Sequence, residues 1–255
     1  MPGWKAKPAL NREMDIAPMT KSAVRTKAPN KPARPPGKKS SAARPDAKSL
    51  AAKVLHRLTA DYPDATCELG HESAFELLIS TILSAQCTDE RVNMVTPELF
   101  RRWPTAADLA RVPIPTLETV IRSTGFYHNK AKNIKACCLE LVDKYDGDVP
   151  REMDQMVELP GVGRKTANVV LGTAYGMATG VVVDTHVTRV SRRLGLSKHT
   201  DPTKIEQDLM QLLQKSEWVD FAHRMIHHGR QICAARKPKC EQCSMQDFCP
   251  KIDVK

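Results

Sequence analysis

Two side chains of opposite charge border one stretch of the sequence, and together they could carry out chemistry at a sugar carbon. Lys165 follows the Gly-rich segment LPGVG at 159–163, and Asp184 follows an apolar run of three valines at 181–183. An amine can attack such a carbon, and a carboxylate can stabilise the positive charge that develops as a group leaves. Each residue also has an ordinary interpretation: the lysine can neutralise phosphate, and the aspartate can cap a helix.

The segment at 159–163 predicts a tight turn between two helices that binds an anion. Pro160 fixes one φ, whereas Gly161 and Gly163 permit positive φ values that leave successive backbone N–H groups unpaired. These donors would lie at the positive end of a helix that begins near Arg164. Because the chain has a net charge of +10, the expected anion is a nucleic-acid phosphate.

The first 47 residues differ in composition from the rest of the chain. They contain eleven Lys and Arg against three Asp and Glu, so +8 of the net charge of +10 lies there, together with eight of the eighteen prolines. The segment has few apolar residues at regular spacing, so their burial cannot offset the loss of chain entropy on folding. Residues 1–47 are therefore predicted to be disordered. They are interpreted either as an electrostatic tether to nucleic acid or as a dispensable solvated tail; the prolines disfavour a transit peptide.

The remaining sequence predicts an all-α fold with short connections. Apolar residues recur at helical spacing from Leu50 onward, with capping residues ahead of several helical stretches. No apolar run approaches the length of a membrane span. The expected N-caps include Ser73, Thr105 and Asp184, and the glycines expected to end helices include Gly147, Gly195 and Gly229.

Two connections between predicted helices interrupt the helical spacing of apolar residues, and each carries a side chain that could enter a gap in a nucleic-acid duplex. Gln86, in SAQCTD at 84–89, could hydrogen-bond to an unpaired base. Phe126, in GFYHNK at 125–130, could wedge between base steps. Either residue could equally pack on its own loop.

The eight cysteines form two groups of four. One group is scattered along the helical region and is expected to consist of reduced thiols. The other has the spacing C-x6-C-x2-C-x5-C, which favours a [4Fe-4S] cluster over a zinc ion or a disulfide pair. The cluster ligands would be Cys233, Cys240, Cys243 and Cys249. The loop between the first two would present three positive charges to a phosphate backbone, those of Arg236, Lys237 and Lys239.

The sequence resembles the endonuclease III family of helix-hairpin-helix DNA glycosylases and abasic-site lyases. Three motifs carry the resemblance: LPGVGRKTA at 159–167, VDTH at 183–186 and the cysteine spacing, in that order. The resemblance extends from about Lys48 to Lys255. It implies a two-domain, all-α fold with the DNA groove between the domains. The expected domains are a six-helix barrel with the hairpin at 67–177 and a discontinuous iron–sulfur domain at 48–66 and 178–255.

The resemblance also implies a reaction on double-stranded DNA that contains damaged pyrimidines or abasic sites. Lys165 would form a Schiff base at C1′, Asp184 would help the base to leave, and β-elimination would nick the strand 3′ to the site. Phe126 stands where the family commonly has Leu, and Cys87 stands where a small non-thiol residue is common, which affects the expected substrate preference. The implied DNA contacts are Gln86, Phe126, Gly161, Gly163, Arg164, Arg236, Lys237 and Lys239.

Two other interpretations of the motifs are weaker. Adenine-mismatch glycosylases share the hairpin, the aspartate and the cysteine spacing, but they typically lack a lysine at the position of Lys165. A non-catalytic DNA-damage sensor would not need both Lys165 and Asp184. We expect a monomer with no membrane partner, cytoplasmic and nucleoid-associated in a bacterium, with an organellar or nuclear location left open.

Overall fold

The computed structural model describes residues 46–254, and these residues form α-helices joined by short loops and 3₁₀ turns, without a β-strand. The all-α prediction is confirmed. The predicted disordered tail, apart from its last two residues, lies outside the described residues. No described helix has the length and apolar character needed to cross a membrane. The helices are α1 (Ala47–Asp61), α2 (Ala74–Leu83), α3 (Asp89–Arg102), α4 (Ala106–Arg111), α5 (Ile114–Ile121), α6 (Tyr127–Tyr145), α7 (Met153–Glu158), α8 (Arg164–Tyr175), α9 (Thr185–Leu194), α10 (Pro202–Leu212) and α11 (Trp218–Gln231).

Three helices begin where the sequence predicts. Ser73, Thr105 and Asp184 are the N-caps of α2, α4 and α9, and each side chain accepts a hydrogen bond from the backbone N–H three residues later. Such a bond satisfies one of the donors that a helix start leaves unpaired. Capping is therefore a local property of these sequences, and it fixes where each helix begins.

Glycines end two of the predicted helices, but a third lies inside its helix. α6 and α9 end just ahead of Gly147 and Gly195, whose φ values are 88° and 76°. The prediction that Gly229 ends the last helix is wrong, because α11 continues to Gln231. A Cβ at position 229 would lie 2.8 Å from Cβ of His186, so the glycine instead allows α9 and α11 to approach closely.

The buried apolar side chains form two clusters. One contains residues from 69 to 171 and involves α2 through α8. The other joins α1 to α9, α10 and α11, and half-buried cysteines of the C-terminal group pack against it. The domain boundaries expected from the sequence stay a prediction.

The hairpin at 159–163 connects α7 to α8. Gly161 has a φ of 80°, and a Cβ there would lie 2.9 Å from the side chain of Asn133, so both the backbone and the packing require glycine. Gly163 is the N-cap of α8 with a φ of −94°, and the expectation of a positive φ there is wrong. A Cβ at position 163 would meet no heavy atom within 4 Å. The chain itself therefore gives no reason for glycine at this position.

Candidate active site

Lys165 and Asp184 come together from the first turn of α8 and the N-cap of α9. Both line a cleft of about 540 Å³ that Gln86 also lines. Both also line a second cleft of about 570 Å³. Lys165 is exposed and Asp184 is half-buried. The structure thus places an amine, a carboxylate and an amide on one accessible surface, although they are distant in sequence.

The two clefts differ in their charges. In the 540 Å³ cleft, Arg230 pairs with Glu68 and, at 2.5 Å, with Asp89. Burial lowers the pKa values of His186 and His223, which line the same cleft, so both imidazoles are largely neutral at pH 7. This cleft therefore contains both positively and negatively charged side chains, together with neutral imidazoles that can form hydrogen bonds. The 570 Å³ cleft has more cationic side chains: its lining includes Arg189, Arg192 and Arg193 of α9 and Lys165, together with Asp184 and Asp253.

Glu206 of α10 anchors the start of α8. Its buried carboxylate accepts hydrogen bonds from the Arg164 guanidinium at 2.9 and 3.1 Å, and from the Asn168 amide at 2.8 Å. The hydrogen bond to Glu206 is the main reason that the pKa of Arg164 is raised. The Arg164 side chain therefore holds α8, and with it the adjacent Lys165, while the predicted contact of Arg164 with DNA stays a prediction.

Gln86 and Phe126 share an uncommon backbone conformation. Their φ values are 53° and 49°, in the left-handed region that few residues other than glycine adopt. Both side chains are exposed, and Phe126 presents 62% of its surface to solvent. Gln86 lines the cleft with Lys165, whereas Phe126 lies outside that lining.

The four C-terminal cysteines line one cavity. Burial raises the pKa values of Cys243 and Cys249, and the neighbouring thiols raise them further. Such thiols lose their protons together when a bound metal compensates the charge, so the donor set fits a metal centre such as an iron–sulfur cluster. Within residues 46–254, no three His, Cys, Asp or Glu side chains converge on the position of a single metal ion.

Arg193, which sequence reasoning missed, holds the cysteine loop. It is 7% exposed, and its guanidinium donates to the carbonyl oxygens of Ala234 at 2.7 Å and Ala235 at 3.0 Å. It also lies 3.4 Å from Sγ of Cys233. Bonds of this kind orient a ligand of a metal cluster. The basic side chains of the same loop are exposed, as a surface that contacts phosphate requires: Arg236, Lys237 and Lys239.

Comparisons with known proteins agree with this architecture. Residues 79–215 match the HhH-GPD superfamily of base excision DNA repair proteins, and residues 233–249 match the iron-sulfur binding domain of endonuclease III. Endonuclease III of Synechocystis sp. is 53% identical over 207 residues, which cover 81% of this chain and 94% of the relative. A non-covalent endonuclease III–DNA complex is 48% identical with a TM-score of 0.77, covering 80% of this chain and 95% of its own. A trapped endonuclease III–DNA covalent intermediate is 47% identical, also with a TM-score of 0.77. The match covers 80% of this chain and 96% of that protein's chain.

The helical fold with its hairpin is that of a helix-hairpin-helix DNA repair glycosylase. The chain belongs to the endonuclease III family. It is a bifunctional base excision repair enzyme, a DNA glycosylase with abasic-site lyase activity, and its cofactor is a [4Fe-4S] cluster. The match to the iron–sulfur domain decides between the cluster and the zinc ion that the cysteine spacing left open.

Proposed function

We propose that the protein removes oxidised pyrimidines from duplex DNA by using Lys165 as the nucleophile, and that it then nicks the strand 3′ to the abasic site. The observation that carries this proposal is the placement of Lys165 and Asp184 on one cleft beside Gln86. A relative has been trapped in a covalent intermediate with DNA, which supports a covalent route.

In this mechanism, neutral Nζ of Lys165 attacks C1′, and the bond between C1′ and the base breaks with its electron pair leaving on the base. The carboxylate of Asp184 stabilises the positive charge that grows on the sugar as this bond lengthens. One proton of the amine passes to the released base, and the other passes to the ring oxygen O4′ as the bond between C1′ and O4′ breaks and the sugar ring opens to the Schiff base. Removal of a proton from C2′ then expels the 3′ phosphate and breaks the strand.

The DNA would be held by backbone donors at the hairpin and by basic side chains elsewhere. The start of α8 at Gly163 provides N–H groups for a phosphate, with open space where a side chain would otherwise lie. Gln86 and Phe126 would fill the gap left by the flipped base. The cysteine loop, held in place when Cys233, Cys240, Cys243 and Cys249 bind the cluster, would add contacts from Arg236, Lys237 and Lys239.

The 540 Å³ cleft suits an oxidised pyrimidine, because such a ring carries several carbonyl and N–H groups. Arg230 can donate to ring carbonyls, and the carboxylates of Glu68 and Asp89 that pair with it can accept from ring N–H groups. In a bacterium, this activity would place the protein in the cytoplasm with the nucleoid.

Single-turnover product analysis tests the proposal. The substrates are one duplex with a single dihydrouracil and a matched duplex with a single 8-oxoguanine, and the enzymes are the wild type and Lys165→Gln. We expect rapid release of dihydrouracil, a nick that leaves an unsaturated aldehyde at the 3′ end, and loss of both in K165Q. Preferential release of 8-oxoguanine, or nicking by K165Q at the wild-type rate, would contradict the proposal.

A further inference from the structure

Lys130 of α6 is a buried lysine with two specific acceptors. It is 5% exposed, and its Nζ donates to the carbonyl oxygens of Leu83 and Thr124, both at 2.8 Å. Leu83 is the last residue of α2, and Thr124 is the last residue of the 3₁₀ turn Arg122–Thr124. Carbonyls at helix ends lack an intrahelical partner and carry partial negative charge, so one ammonium group satisfies both.

These two carbonyls lead directly into the two exposed loops. Leu83 precedes Gln86 by three residues, and Thr124 precedes Phe126 by two. Both loop residues have left-handed backbones, a conformation that persists only when the surroundings hold it. The ammonium of Lys130 therefore connects the residues at which two strained loops begin, although these loops are distant in sequence.

We propose that Lys130 is a positioning residue that couples the two loops, so that Gln86 and Phe126 enter the duplex together at a fixed separation. This inference rests on the proposed function, in which these two side chains fill the space left by the flipped base. Without the ammonium, each loop would move independently. The cost would fall on the step that extrudes the base, because a pre-formed abasic site has no base to unstack.

The same helix provides a matched control. Nζ of Lys135 donates to the carbonyl oxygens of Ala110 at 2.6 Å and Val112 at 2.8 Å, which lie at the end of α4 and just after it. Lys135→Met removes an ammonium that bridges two carbonyls, as Lys130→Met does, but it leaves the loops of Gln86 and Phe126 connected.

The test measures single-turnover rates of dihydrouracil release and of strand cleavage at a pre-formed abasic site in the same duplex. The full-length variants are Lys130→Met, Lys135→Met, Phe126→Ala and the double variant K130M/F126A. We expect K130M to slow base release by about tenfold or more, the typical effect of losing a charged hydrogen bond, and to slow abasic-site cleavage much less. F126A should add little in the K130M background, since residues that act as a unit are not additive. K135M should leave the ratio of the two rates unchanged.

Equal effects of K130M and K135M on this ratio would overturn the proposal, and so would K130M and F126A effects that multiply fully. If K130M does not fold, Lys130→Gln decides the matter in the same assays, because its uncharged amide ends one bond short of the ammonium position and cannot bridge both carbonyls. A wild-type enzyme that does not release dihydrouracil would contradict the proposed function instead. Normal wild-type release with an unchanged ratio in K130Q would overturn the coupling alone.

Discussion

Asp184 accepts a hydrogen bond of 2.8 Å from the backbone N–H of Val187, so the carboxylate that lines the cleft with Lys165 is also the N-cap of α9. The cap holds the carboxylate in the lining of the cleft through purely local geometry. In the proposed mechanism the same side chain therefore has a structural and a chemical role, and the two can be separated because asparagine caps a helix about as well as aspartate.

We expect Asp184→Asn to keep the fold and lose base release. The stability should change by less than about 1 kcal/mol, because the amide oxygen still accepts from Val187. Base release should slow by about a hundredfold, since the neutral amide cannot stabilise the charge on the sugar. Cleavage of a pre-formed abasic site should remain within a few fold of the wild type. Asp201→Asn, at the N-cap of α10, is the matched control and should change neither rate; equal losses in D184N and D201N would contradict the assignment.

Substitution by alanine should affect different properties at the two glycines of the hairpin: stability at Gly161 and duplex binding at Gly163. Gly161→Ala should destabilise the protein by about 1–3 kcal/mol, because the residue has a positive φ and its Cβ would contact Asn133. Gly163→Ala should cost less than about 1 kcal/mol, but it should weaken duplex binding by about tenfold because the new methyl group fills the space next to the N–H donors. Denaturation curves and fluorescence anisotropy measure the two quantities. Unchanged binding by a folded G163A would show that phosphate does not approach there.

The stability should fall in mild acid, with a contribution from His223. Burial lowers the pKa of His223 in the folded state, so protonation favours the unfolded chain. The stability is therefore intact above the unfolded pKa of about 6.5 and is lost as pH falls below it, at up to about 1.4 kcal/mol per pH unit. His223→Gln should flatten the decline between about pH 6.5 and pH 5 in urea denaturation. Identical slopes for the two proteins would contradict this role of His223.

Loss of the cluster should destabilise the protein. Three of the cysteines proposed as its ligands, Cys233, Cys243 and Cys249, pack against the second hydrophobic cluster, so iron removal should expose apolar surface there. We expect Cys243→Ser, or chelation of iron, to bleach the visible absorbance and to lower the stability by about 3 kcal/mol or more. A bleached protein with unchanged stability would mean that the loop folds without its cluster.

The sequence predicted those features whose chemistry is local. The capping side chains of Ser73, Thr105 and Asp184 bond within their own first turns, so their positions follow from a few neighbouring residues. The roles of Gly163 and Gly229 were mispredicted because neither residue is needed for a positive φ: one leaves open space at the start of α8, and the other allows two helices to approach.

Two buried cations were missed for a related reason. Lys130 and Arg193 bind main-chain carbonyl oxygens, and Leu83 and Ala234 are 47 and 41 residues away from them in sequence. Every residue has a carbonyl group, so such partners leave no pattern of residue types. Only the packed helices bring these groups together.

The central claim is that Lys165 is the nucleophile, and borohydride trapping on a duplex with one oxidised pyrimidine tests this claim most directly. It compares the full chain with Lys165→Gln, and repeats the pair without residues 1–47, since lysines of that segment could react with abasic sites adventitiously. We predict a covalent protein–DNA adduct for both chains with Lys165 and none for the shortened K165Q chain. Base release without any adduct would make water the nucleophile, and an undiminished adduct in the shortened K165Q chain would assign the Schiff base to another amine; either result would contradict the account.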